Sequence, residues 1–164
     1  MSLPEPIEEQ ILMACVARLA DVANIVPECW YAPRFVARAY RPLDAVTELP
    51  GYLVLRAPEE SGADLQTIDY PDSRVIASMG LEVLAYGQGS DSLPTDRVLI
   101  RLLAQAERAL CAPGLFGPDA APENQIDVQN TRRVLDHETE IGPPHRSLMS
   151  HLYRVRFFYS RGEP

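Results

Sequence analysis

An α+β domain is what this sequence predicts: a mainly antiparallel sheet of about five strands with two helices packed on one face. Three observations point there. The apolar period is near 3.6 over residues 6–25 and again over 92–110, and near 2 in the segments between and after them. The segments run in the order helix, two strands, a long strand, a second helix, then two further strands. Proline and glycine punctuate the junctions, at Pro27, Pro50-Gly51, Gly87 to Pro94 and Ala112-Pro113-Gly114.

Each element has its own warrant. In the first helix, Ile7, Ile11, Cys15, Leu19 and Val22 fall on one stripe, widened by Leu12, Val16 and Ala23, with Glu9, Gln10, Asp21 and Asn24 on the other side. Pro6 precedes it, and Glu8 and Glu9 suit the positive end of its dipole; the helix runs to Ile25 and ends before Pro27. A short strand follows at Phe35–Tyr40 and another at Tyr52–Ala57. Arg74–Tyr86 alternates with Val75, Ala77, Met79, Leu81, Val83 and Ala85 on one face, making it the longest strand and the centre of the sheet. The second helix is expected from a Ser92 N-cap to about Leu110, with Val98, Leu99, Leu102, Leu103, Ala106 and Leu110 inward and Arg97, Arg101, Gln105 and Arg108 outward. A weaker strand at Gln125–Leu135 and a closing strand at Leu152–Ser160 complete the set; in the latter, Tyr153, Val155, Phe157 and Tyr159 share a face.

Size and composition bound the function. A chain of 164 residues fits one domain, 1–164, and needs no disulfide staples. No apolar run approaches the roughly 18 residues of a membrane span, and the first residues lack the basic and apolar regions of a signal peptide, so synthesis in the cytoplasm is expected. Cys15, Cys29 and Cys111 form no C-x-x-C pair and read as reduced. A net charge of −8 argues against a generic binder of nucleic acid or anionic membrane. All fifteen basic residues are arginine, which reflects either a GC-rich coding genome or the preference of interfaces for a planar fork.

Chemistry is sparsely signalled. There is no phosphate loop, nucleophile elbow, zinc knuckle or dinucleotide fingerprint, and no cofactor is expected. Residues 58–73 carry five acidic residues and no basic one, either a solvated loop or a surface that repels DNA or fits a basic partner. His137, His145 and His151 lie within 15 residues. They are either solvated groups near the tip of a terminal hairpin or a three-histidine metal site with Glu138 or Glu140 as general base, which would make the chain a small metal-dependent hydrolase. Trp30 and Tyr31 are a base-stacking pair or local packing. Cys111, at a helix C-terminus, is a poor nucleophile.

The succession of the Ile7–Ile25 helix, an Arg-bearing strand around Arg38, the Leu49-Pro50 step into Tyr52–Leu55, the strand Val75–Tyr86, the Ser92–Leu110 helix and a final aromatic strand resembles the tail terminator (tail completion) proteins of long-tailed bacteriophages. The resemblance covers nearly the whole chain and is one of element pattern, carrying over no individual catalytic or binding residue. It implies a structural virion protein and not an enzyme: a small α+β subunit, made in the host cytoplasm, that forms a hexameric ring at the tail end or neck. That ring caps the tail tube, stops its polymerisation and offers a docking face to the neck of the head. Its implied partners are further copies of itself, the tail tube protein and a neck or head completion protein, with DNA passing through the lumen without specific binding and no membrane. A neck or head–tail completion subunit on the head side shares the pattern.

A closed ring needs two different patches on each subunit, one meeting the other on the neighbour. Arg34, Arg38 and Arg41, with Arg154 and Arg156, are the candidates for one patch. Glu59, Glu60, Asp64, Asp69 and Asp72 would supply the other or face the lumen, where an acidic wall keeps DNA from sticking.

Overall fold

The computed structural model describes residues 6–26, 28–57, 74–112, 126–127, 133–134 and 146–160. Its helices are α1 (Ile7–Ala20), α2 (Val22–Ile25) and α3 (Thr95–Cys111). Its strands are β1 (Phe35–Ala37), β2 (Gly51–Ala57), β3 (Arg74–Gln88), β4 (Ile126–Asp127), β5 (Arg133–Val134) and β6 (Arg146–Ser160), with a single 3-10 turn at Leu43–Ala45. The fold is α+β, as the sequence predicts.

The sheet runs β1-β2-β3-β6-β4, and β5 also pairs with β6. Among the described residues only β1 and β2 are parallel; the other pairings are antiparallel. The central strand is β3, as expected, but β6 matches it in length at 15 residues, beginning at Arg146 where the sequence pattern suggested Leu152. Among the described residues four strands of three residues or more carry the sheet instead of about five. The weaker strand expected at 125–135 is reduced, among the described residues, to the two short pairings of β4 and β5.

The helices cover one face. Ile11, Leu12, Cys15 and Leu19 of α1 and Val98, Leu99, Leu102, Leu103, Ala106 and Leu110 of α3 pack on Tyr52, Val54, Met79, Leu81, Val83, Ala85, Met149, Tyr153, Val155 and Phe157. The register explains the alignment of these rows: Val54 stands opposite Val83, and Val83 opposite His151, so the even positions of β2 and the odd positions of β3 and β6 share a side. The opposite face is not wholly bare. Leu43 and Val46 fold over Leu53, Leu84, Tyr86 and Leu148 to make a second apolar cluster. Arg146 fixes that flap by donating from Nη1 to the Val46 carbonyl at 2.9 Å.

Three local expectations change. The first helix breaks at Asp21, whose side chain takes a hydrogen bond from Asn24 Nδ2 at 2.5 Å while its backbone leaves the helical region. The second helix starts at Thr95 after Pro94, not at a Ser92 cap, because Ser90 and Leu93 exchange backbone bonds of 2.9 and 3.1 Å in a tight turn that contains Ser92. The strand expected to reach Tyr40 stops at Ala37, since the next residue, Arg38, turns its side chain to α1.

Candidate interaction surfaces

A buried amide organises the first surface. Gln105, expected to face out from α3, is fully buried. It accepts from the Tyr31 N–H at 3.1 Å through Oε1, and donates to the Tyr31 carbonyl at 2.6 Å through Nε2. The same Nε2 lies 3.2 Å from the Tyr52 hydroxyl, which itself donates to the Leu102 carbonyl at 2.8 Å. Every polar atom in this small network therefore has a partner, as burial demands. The Cys29 thiol adds a bond of 3.0 Å to the Tyr31 carbonyl. The result is a segment around residue 30 clamped to α3 even though it has no regular structure of its own.

That clamp holds Trp30 at the surface, 45 % exposed, between two guanidinium groups of α3. Arg101 and Arg108 lie 5.7 and 5.5 Å from its ring centre, within cation–π range. They stand two helical turns apart and so flank the indole along the helix axis. Ile100, the residue before Arg101 in α3, is also exposed. Tyr31, by contrast, packs against the core, so Trp30 and Tyr31 do not form a paired platform.

The five arginines proposed from the sequence do not form one patch. Arg38 is turned inward along the sheet edge: Nη2 and Nε meet Glu9 at 2.8 and 3.3 Å, and Nη1 donates to the Val54 carbonyl at 3.0 Å. It is a strut from α1 to β2. Arg56 repeats the device one strand over, with its Nε 3.1 Å from Glu8. The acidic pair in the first turn of α1 thus ties the helix to the sheet as well as suiting its dipole. Arg41 lies over the Phe35 ring at 5.3 Å, and its carbonyl accepts from Tyr86 at 2.8 Å. The Arg34 side chain is exposed while its N–H binds the Pro50 carbonyl at 2.7 Å. Arg154 and Arg156 stand on β6, on the face away from the helices and separated from β1 by both β2 and β3.

Glu59, Glu60, Asp64, Asp69 and Asp72 lie outside the described residues, as do His137 and His145. His151 is placed, and not at a hairpin tip. It lies six residues into β6, buried on the helix-facing side, its ring stacked on Tyr153 with centroids 4.5 Å apart. Among the described residues no three metal-binding side chains come together. No helix among them is long and apolar enough to cross a membrane.

Burial sets the ionisation of this interior. The Cys15 thiol is pushed up from 9.0 to about 12, chiefly by desolvation and against the opposing pull of Arg18 and Arg38. Burial likewise raises the Tyr52 phenol well above its ordinary range, helped by the neighbouring Cys29 and resisted by the hydrogen bond from Gln105. Neither group is prepared for nucleophilic work, which needs a lowered pKa or an adjacent base. Burial also lowers the Arg18 guanidinium.

No protein-family model matches this chain, and neither does any curated protein.

Proposed function

We propose that this chain is a structural assembly subunit of the tail terminator type, which joins copies of itself into a ring, sixfold by the resemblance, that caps a phage tail tube and docks the neck of the head. Such a protein works by shape and interface, not by turnover. The observation that supports this reading is the order and layering of the elements: helix, strands, long central strand, helix and long closing strand, with the helices on one face and Arg154 and Arg156 on the other. The exposed cationic and aromatic side chains suit contact with other proteins, since Trp and Arg are the residues that most often anchor interfaces.

Negative-stain electron microscopy of the purified chain at high concentration, alone and with added phage tail tubes, tests the reading. Rings, or tubes closed at one end, are expected. Monomers under every condition together with bare tube ends would overturn it.

A further inference from the structure

Trp30, Arg101 and Arg108 make a site that the ring reading does not assign. The indole is held in place from behind by the Gln105–Tyr31 clamp, and it keeps 45 % of its surface exposed. Arg101 and Arg108 lie on it, and neither forms an ion pair among the described residues. Two guanidiniums fixed by an aromatic ring present forks with geometry matched to carboxylates. The ring between them offers an apolar seat.

We propose that this site docks the acidic segment 58–73 of a second copy of the chain. Charge complementarity carries the choice of occupant. In a chain of net charge −8, the segment contains Glu59, Glu60, Asp64, Asp69 and Asp72 with no basic residue, and Leu65, Ile68 and Tyr70 are interleaved among the acids. An occupant that is both acidic and partly apolar is what an Arg–Trp–Arg surface selects. Placement points to a second copy. The clamp behind Trp30 is bonded to Tyr52 near the start of β2, whereas the segment follows Ala57 at the end of that strand, about 17 Å further along. A site near one end of a strand and its complement leaving from the other make a head-to-tail contact, the kind that closes rings. The proposal deepens the ring reading and rests on it only in requiring that copies meet.

The chain contains a single tryptophan, so its emission reports this site alone. The full-length chain is titrated with a synthetic peptide of residues 58–73 while Trp30 emission is followed. A saturable shift is expected, weakened about tenfold or more by Arg101→Glu with Arg108→Glu and by raised salt. Arg101→Gln with Arg108→Gln serves as the milder pair if reversal disturbs folding. Sedimentation velocity then compares the Arg101→Glu/Arg108→Glu chain with a Glu59→Arg/Asp64→Arg chain. Each alone is expected to associate less than the parent, and an equal mixture to regain association because each supplies what the other lacks. No emission change with peptide, or no recovery on mixing, overturns the proposal. A shift produced by single-stranded oligonucleotide and not by peptide overturns it in favour of a nucleic-acid site. Rings that still form from the Arg101→Glu/Arg108→Glu chain would sink this docking while leaving the ring reading intact, whereas peptide binding without rings or capped tubes would do the reverse.

Discussion

Gln105 holds Tyr31 as a neighbouring strand would, its amide taking the N–H at 3.1 Å and giving to the carbonyl at 2.6 Å across 74 positions of sequence. One side chain thereby replaces a ladder rung, and the surface tryptophan next in line inherits its fixed position.

Removing that amide should loosen the segment before it unfolds the domain. Gln105→Ala removes the partner of the Tyr31 N–H and leaves its carbonyl only the weaker bond from the Cys29 thiol, a loss of about 2 kcal/mol in urea unfolding. Gln105→Glu is expected to be worse, because a carboxylate cannot donate to the Tyr31 carbonyl. In both variants Trp30 emission should change in the folded state.

Arg38 and Glu9 should prove coupled. Each side chain is about one-third exposed, at 30 % and 37 %, so the pair is partly screened and each single alanine variant should lose about 1 kcal/mol. A double-mutant cycle should return a favourable interaction term, and Arg38→Lys should not restore it, since an ammonium lacks the fork that spans both carboxylate oxygens and the Val54 carbonyl. Additive losses would show that the two do not act together.

Gly51 should not tolerate alanine. It stands opposite Phe35 in the β1–β2 pairing, and an added methyl would run into the Phe35 ring. Gly51→Ala is expected to destabilise by about 2 kcal/mol through overpacking, and a smaller side chain at Phe35 should recover part of it. Thermal melts of the two single variants and the pair would decide.

Alkaline pH should weaken the fold. The Cys15 thiol ionises near 9.0 in the open chain but only near 12 when buried, so as pH rises past 9 the unfolded state sheds a proton that the folded state keeps. Its contribution to stability is whole below pH 9 and falls by about 1.4 kcal/mol per pH unit above it, up to about 12. Tyr52, also raised, adds loss in the same direction at higher pH. Cys15→Ala should flatten the decline between pH 9 and 10.5, measured by urea unfolding at stepped pH. A thiol reagent at neutral pH should modify exposed Cys111 first and spare Cys15 until the chain unfolds.

Periodicity carried most of the layering. The odd positions of β3 and β6 that the alternation placed together, Met79, Leu81, Val83, Tyr153 and Val155, are buried under the helices. The same alternation, carried back two positions from Tyr153, puts His151 in the core, but His151 lies before Leu152, where the pattern of the closing strand becomes legible. Gln105 misled in the opposite way. It sits three residues after Leu102 and four before Ala109, within the inward stripe, but its polarity suggested solvent. Only a partner distant in sequence reveals why a polar group belongs there. For the same reason Arg38 read as an interface residue, its bond to Glu9 being 29 positions away. Nothing local couples Trp30 to Arg101 and Arg108, so that surface emerges from the fold alone.

The pairing of β3 with β6 is continuous over fifteen positions, from Arg74 with Ser160 to Gln88 with Arg146. On the ribosome, β3 and α3 emerge well before their partner, and the central strand must wait with one long edge open until residue 160 has been made. A nascent chain in that state is a template for another strand, so its yield in cells should depend on how quickly translation covers the stretch from α3 to β6.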